Sequence, residues 1–277
     1  MSSPSLSTKT EHLQGLISSL RSVAVAYSGG VDSTLLLAVC QRVLGPQRVL
    51  ALTVTSAMTP GVERERALEL AARLGARHRV VSFDALAIGD LVANRPDRCY
   101  HCKRAIYGRL LEIAEAEGLN ALVRGANVDD EDDHRPGMRA AAELGVRAPL
   151  LEAGFRKADV RLLSREMGLP TWDLPSMACL ASRIPYGSPL TIEALERVDA
   201  AESMLRRTLP LSQVRVRDHF PLARIEVPDA DVATLSRPAV RAQIVDHLKV
   251  LGYRYVTLDL QGFRSGSMNE ILPDHHR

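Results

Sequence analysis

Ser28-Gly29-Gly30-Val31-Asp32-Ser33 combines two adjacent glycines with two hydroxyls and one carboxylate, which suits a loop that holds a polyphosphate. Adjacent glycines let main-chain amides approach an anion through backbone angles closed to other residues. The Ser28 and Ser33 hydroxyls can donate to phosphate oxygens, and free amides at the start of a following helix add positive potential. Asp32 would repel phosphate directly, so its expected role is to ligate a magnesium ion that bridges it to a nucleotide. The spacing matches neither G-x-x-x-x-G-K-[ST] nor G-x-G-x-x-G, so neither a kinase-type P-loop nor a dinucleotide fingerprint is indicated.

Three further groups could do chemistry. Asn127, Asp129 and Asp130 follow Gly125, and clustered carboxylates are costly unless hydrated or bound to a cation. Asp130 with Asp32 could therefore complete a magnesium site, whereas Glu131 to Asp133 read as a solvated continuation. Cys99 and Cys102 have the spacing that brings two sulfurs within reach of one metal or of each other. Cys179, in the proline-broken run Pro175 to Gly187, is the natural third sulfur. Three thiolates could hold a cubane iron–sulfur cluster with one iron open; zinc with His101 or water, and a redox dithiol, are the competing readings. Arg183, if near Cys179 in space, would raise its thiolate fraction. Arg215 and Arg217 share one face if Val214 to Arg217 is a strand, and two guanidinium forks make a receptor for phosphate or carboxylate.

The elements that must position these groups alternate along the chain. Val23 to Ala26 is an apolar run too short for a helix and suited to a buried parallel strand. A helix from Leu35 stops near Gly45-Pro46. Strands at Arg48 to Thr55, His78 to Phe83 and Asn120 to Arg124 alternate with helices at Val62 to Leu74 and Tyr100 to Glu117. This order predicts an α/β fold, a parallel sheet flanked by helices, with ligands at the carboxyl ends of the strands. The Ser28 to Ser33 loop, Thr55-Ser56 and Gly125 to Asp130 lie at such ends. After a helix at Lys157 to Met167, prolines and small residues mark a joint near 175 to 190. Beyond it a helix at Thr191 to Arg207, strands at 214–217, 223–227 and 255–258 and a helix at Val240 to Leu251 predict a smaller α+β domain. The expected division is 1–178 and 179–277.

Bulk properties narrow the function classes. The formal charge of the 277 residues is +2, and no basic tract carries interleaved aromatics, so a nucleic-acid partner is not expected. No run approaches the ~20 apolar residues needed to span a bilayer, and Met1 to Thr10 lacks the apolar centre of a secretory signal. A cytoplasmic protein with reduced thiols is the expectation. Cys40, in the apolar first helix after the loop, reads as packing.

The Ser28 to Ser33 loop after a first strand resembles the pyrophosphatase (PP) loop of the adenine-nucleotide alpha-hydrolase superfamily. That resemblance implies cleavage of ATP between its α and β phosphates, with AMP passing to a substrate oxygen. Further stretches carry a closer resemblance: Arg98 to Lys103, Gly125 to Asp130, Trp172 to Gly187, Val214 to His219 and Gln261 to Ser267. With them the chain is similar to the ATP-dependent sacrificial sulfur transferase (LarE) family, which builds the nickel-pincer nucleotide cofactor of lactate racemase. The resemblance implies adenylylation of a carboxylate of pyridinium-3,5-biscarboxylic acid mononucleotide, then conversion to a thiocarboxylate. Ser28, Gly29, Gly30, Asp32, Ser33, Thr55 and Asn127 would form the nucleotide site, and Arg215 and Arg217 would hold the substrate phosphate. Cys179 would give up its sulfur once, leaving dehydroalanine. Alternatively, Cys99, Cys102 and Cys179 would hold a [4Fe-4S] cluster that transfers sulfide, drawn from a separate sulfide or sulfur donor. The family also implies hexamers. A tRNA-thiolating enzyme with a cysteine-ligated cluster is the competing reading of the same motifs.

Overall fold

A computed structural model of the chain describes residues 4–130, 136–175, 178–264, 266–270 and 272. In chain order the elements are α1 (Leu6–Leu20), β1 (Val23–Ala26), α2 (Val31–Leu44), β2 (Val49–Thr55), α3 (Gly61–Arg73) and β3 (Arg77–Ser82). Then come α4 (Gly89–Val92), α5 (Arg98–Ala116), β4 (Ala121–Arg124), α6 (Pro136–Glu143), α7 (Pro149–Glu152) and α8 (Lys157–Glu166). The rest are α9 (Ile192–Thr208), β5 (Arg215–His219), β6 (Leu222–Glu226), α10 (Asp229–Leu235), α11 (Pro238–Val250) and β7 (Tyr255–Leu258). The described residues divide into two units. One draws on Met1–Ser56, Val62–Phe83 and Asp97–Ser176, the other on Ala57–Gly61, Asp84–Pro96 and Met177–Arg277.

The first unit is built on a parallel sheet of order β3-β2-β1-β4. Its inner strands are apolar on both faces, as a parallel sheet covered on both sides requires. Val23 and Val25 of β1, with Val49 and Ala51 of β2, pack with Leu13, Ile17, Leu35, Leu36 and Phe155. Ala24, Leu50, Leu52 and Leu122 point the other way, into Tyr107, Leu110 and Ile113. Period two thus divides each strand between two helical layers. This is the parallel, helix-flanked architecture expected from the sequence, and it sets Ser28 to Ser33 between the carboxyl end of β1 and the first turn of α2. Cys40 is fully buried among the apolar side chains of the first layer, and burial pushes its thiol up to about 12.

In the second unit β5 and β6 form an antiparallel pair and β7 joins β6 in parallel. Val216, Ala223 and Ile225 of this sheet meet Ala201, Met204 and Leu205 of α9 and Ile244 and Leu248 of α11. This small mixed sheet with helices is the expected α+β part. Among the described residues no helix is long and apolar enough to cross a membrane.

Candidate active site

The loop after β1 is bound together by its own hydroxyls. Ser33 Oγ lies 3.1 Å from Ser28 Oγ and accepts from the Ser28 amide at 3.2 Å. It also donates to the Gly30 carbonyl at 3.3 Å. Gly30 stands at the start of α2, where no side chain caps the helix, so the first amides of α2 remain available to an anion. Gly29 has φ +72°, and a Cβ there would fall 2.9 Å from Ala67 Cα. Gly125 is required by proximity instead, since a Cβ would lie 2.7 Å from Ser33 N and 2.8 Å from Asp32 C. The carboxyl end of β4 therefore presses directly on the first turn of α2.

That contact assembles the acids. Asn127 is 2 % exposed, and its Nδ2 donates to Asp32 Oδ1 at 2.9 Å. Asn127 Oδ1 accepts from the Asp129 amide at 3.0 Å, and the Asn127 amide donates to Asp130 Oδ2 at 3.0 Å. Lys157, the first residue of α8, donates from Nζ to Asp32 Oδ2 at 2.5 Å. Asp129 accepts from Arg156 Nη1 at 2.8 Å and from the Lys157 amide at 2.7 Å. Asp32, Asp129 and Asp130 each contact Asn127, whereas Glu131 to Asp133 lie outside the described residues. Thr55 ends β2, its carbonyl accepting from the Phe83 amide at 2.9 Å. Lys157 and Arg156 were not among the expected site residues. The available signal was their position, because two cations at the cap and first position of a helix oppose its dipole and need acidic partners.

The cysteines are reduced thiols distributed over both units. Cys99 and Cys102 occupy the first two turns of α5, half-buried and three residues apart on one side of the helix. Cys179 is exposed, in a turn at the beginning of the second unit. Among the described residues no group of three or more Cys, His, Asp or Glu is arranged to hold a metal. The Arg183 guanidinium is fully buried against Glu202, Nε to Oε1 at 2.8 Å and Nη2 to Oε2 at 2.9 Å. Its Nη1 donates to the carbonyls of Ala178 and of Cys179, the latter at 2.9 Å.

Arg215 and Arg217 both sit on β5, each 5 % exposed. Arg217 donates to Ser182 O at 2.9 Å, Glu226 Oε2 at 2.6 Å and Ser267 Oγ at 2.9 Å. Arg215 donates to the Val214 carbonyl at 2.9 Å and lies 5.4 Å from the centre of the Phe263 ring. Burial first, and then the charge of Arg183, lower the Arg215 guanidinium to about 10.

A family model described as NAD synthase matches residues 10–94, which include β1, the glycine-rich loop and α2. An uncharacterised protein of Synechocystis sp. is 42% identical over 96% of this chain and 99% of its own. The pyridinium-3,5-bisthiocarboxylic acid mononucleotide synthase of Lactiplantibacillus plantarum is 41% identical over 96% of each chain. The chain belongs to the LarE family. An uncharacterised protein of Methanocaldococcus jannaschii is 27% identical over 88% of this chain and 92% of its own.

As a LarE-family protein the chain is an ATP-dependent PP-loop enzyme of the adenine-nucleotide alpha-hydrolase type. Magnesium fits the donor set at the loop: Asp32 offers carboxylate oxygens, the hard ligands this ion takes together with phosphate oxygens. Lys157 neutralises that carboxylate in this structure, Nζ to Oδ2 at 2.5 Å.

Proposed function

We propose that this enzyme adenylylates a carboxylate of pyridinium-3,5-biscarboxylic acid mononucleotide and replaces the adenylate with sulfur. The observation that carries the reading is the uncapped, glycine-rich start of α2 with Asp32 held between Asn127 and Lys157. The name of the relative from Lactiplantibacillus plantarum supports the substrate. The amides after Gly30 and the Ser28 and Ser33 hydroxyls bind the triphosphate. The substrate carboxylate oxygen attacks the α-phosphorus and the α–β bond breaks, releasing pyrophosphate and leaving an acyl adenylate. Sulfur then attacks the acyl carbon and AMP departs as a weakly basic leaving group. Arg215 holds the substrate phosphate, and Arg217 lies beside it on β5. Asp32 would hold magnesium, with Asp130 as a further candidate ligand, and the ion would supply positive charge for the departing pyrophosphate.

Two sulfur sources remain within this reading. The Cys179 thiolate can attack directly, after which Cβ–S cleavage leaves the sulfur on the product and dehydroalanine in the chain. Alternatively a [4Fe-4S] cluster ligated by Cys99, Cys102 and Cys179 would supply sulfide from an external donor. Assembly into hexamers in the cytoplasm belongs to the same reading.

Incubation with ATP, magnesium, sulfide and the biscarboxylate should release AMP and pyrophosphate and add sulfur to the product. No pyrophosphate under these conditions would end the proposal. Mass spectrometry of the protein after turnover separates the sources, since the direct route removes the elements of hydrogen sulfide from Cys179. Anaerobic reconstitution tests the cluster, whose iron and visible absorbance should disappear in C99S or C102S.

A further inference from the structure

The Cys179 turn is held from beneath by a buried ion pair that the reaction itself does not require. Arg183 and Glu202 are both 0 % exposed. Burying an ion pair rarely stabilises a fold more than well-packed apolar residues of similar volume would. What such a pair gives is direction. The fork of Arg183 uses Nε and Nη2 on Glu202, which leaves Nη1 aimed at the turn. There it meets the carbonyl oxygens of Ala178 and Cys179, the latter at 2.9 Å, and Ser182 Oγ at 3.0 Å. Ser182 Oγ in turn donates to Cys179 O at 2.9 Å. The main chain on both sides of the Cys179 α-carbon is thereby attached to one rigid, planar group.

Glu202 extends the connection to the arginine-bearing strand. Its Oε1 accepts from the Val216 amide at 3.0 Å, and Val216 lies between Arg215 and Arg217 on β5. A second strut runs from Arg217 Nη1 to the Ser182 carbonyl at 2.9 Å. The sulfur-bearing turn and the anion-binding strand are therefore fixed to each other through two separate arginines.

We propose that Arg183 is the positioning residue for the Cys179 sulfur, holding it at a set distance from the guanidinium of Arg215. The inference rests on the reading of Cys179 as sulfur donor or cluster ligand, and it deepens that reading. A substrate must carry its anionic phosphate and its activated acyl carbon at one separation, which a mononucleotide with a ring carboxyl does. Arg183 acts on the sulfur through the main chain, at the carbonyls of Ala178 and Cys179.

The test uses the full-length protein with R183K and with the double variant R183M/E202L. Lysine keeps the charge but cannot span Glu202 and two carbonyls with one ammonium, whereas the double variant removes the buried pair and leaves Arg206, whose side chain is 22 % exposed, to solvent. Pyrophosphate release should stay within about threefold of wild type, while single-turnover sulfur transfer falls on the order of 100-fold, the effect of ångström-scale misplacement. Sulfur transfer kept within about threefold in either variant would overturn the proposal. So would equal losses in both half-reactions, or loss of folding in both variants, since Arg183 would then act only on the fold. A nitroxide on Cys179, with Cys99 and Cys102 changed to serine, gives a readout that needs no substrate. Its spectrum should be immobilised in the wild-type background and mobile in the double variant, and an unchanged line shape would refute the role of Arg183. Failure of wild-type protein to release pyrophosphate would instead remove the proposed substrate, leaving the spectroscopic result to stand or fall separately.

Discussion

Lys157 Nζ donates to Asp32 Oδ2 at 2.5 Å, so the first residue of α8 holds the acid in the first turn of α2. The side chains are 33 % and 18 % exposed, and a pair this wet contributes less than about 1 kcal/mol to stability. K157M should therefore melt close to wild type. Its KM for ATP should rise about tenfold, as expected for loss of one charge-assisted contact to phosphate. D32N should instead lower pyrophosphate release by at least roughly 100-fold, because the carboxylate that would carry magnesium is gone. Pyrophosphate assays beside thermal melts measure both, and a K157M enzyme with unaltered KM would separate Lys157 from the nucleotide.

The glycines of the site divide by what surrounds them. A Cβ on Gly125 would meet main-chain atoms of Asp32 and Ser33 at 2.8 and 2.7 Å, and neither atom can swing aside. Overpacking of this kind costs about 1–3 kcal/mol. G125A should also push β4 away from α2 and weaken ATP binding. At Gly30 the closest contact of a Cβ is Ser28 Oγ at 3.4 Å, and the backbone there has φ −81°. G30A should fold with wild-type stability, so any loss of ATP binding in it reports contact with nucleotide. Comparing melting temperatures with nucleotide-induced shifts for the two variants distinguishes these effects.

The contrast between these positions shows what was legible in the sequence. Val23 to Ala26 was too short and too apolar for anything but a buried strand, so the loop after it could be placed. Period two alone put Arg215 and Arg217 on one face. Their partners could not be read, because Glu226 and Ser267 reach Arg217 from positions fixed only by the folded sheet. Lys157 lies 125 residues from Asp32, and its only local trace was a cation where a helix dipole disfavours one. The Arg183–Glu202 pair left less still: charged residues in sequence look like surface, and both are fully buried. Short helices such as α6, α7 and α10 lack enough turns to show an amphipathic period.

Arg215 and Arg217 should fail differently when replaced. Arg217 shares the buried Glu226 carboxylate with Arg224, so R217A leaves that charge with one cationic partner and should cost about 1–3 kcal/mol of stability. It also cuts the strut to Ser182. Arg215 donates to the Val214 carbonyl at 2.9 Å, and its burial works against its own charge. R215M should fold as well as wild type or better, while the KM for the mononucleotide rises on the order of 100-fold through loss of a forked phosphate contact. Urea midpoints and substrate titrations on both variants test the division of labour. A destabilised R215M with unchanged KM would reverse it.

Glu202 makes stability pH-dependent in a calculable direction. Burial would raise its carboxyl, but the hydrogen bonds from Arg183 and the charges of Arg183, Arg206 and Arg215 outweigh burial and hold it below the ordinary glutamate value. A carboxyl whose folded value is lowered contributes stability that is complete above its unfolded value, near pH ~4.3. That contribution is lost as pH falls through the lower folded value, because the unfolded chain binds the proton first. Wild-type protein should therefore lose stability progressively below about pH 4.3. E202Q cannot take part in that titration, so its acid limb should be shallower. At pH 7 the same variant leaves Arg183 buried without its counter-charge, a loss of about 3–5 kcal/mol. Urea denaturation of the two proteins from pH 7 down to about pH 3 gives both numbers, and parallel acid limbs would assign the pH dependence to other carboxylates.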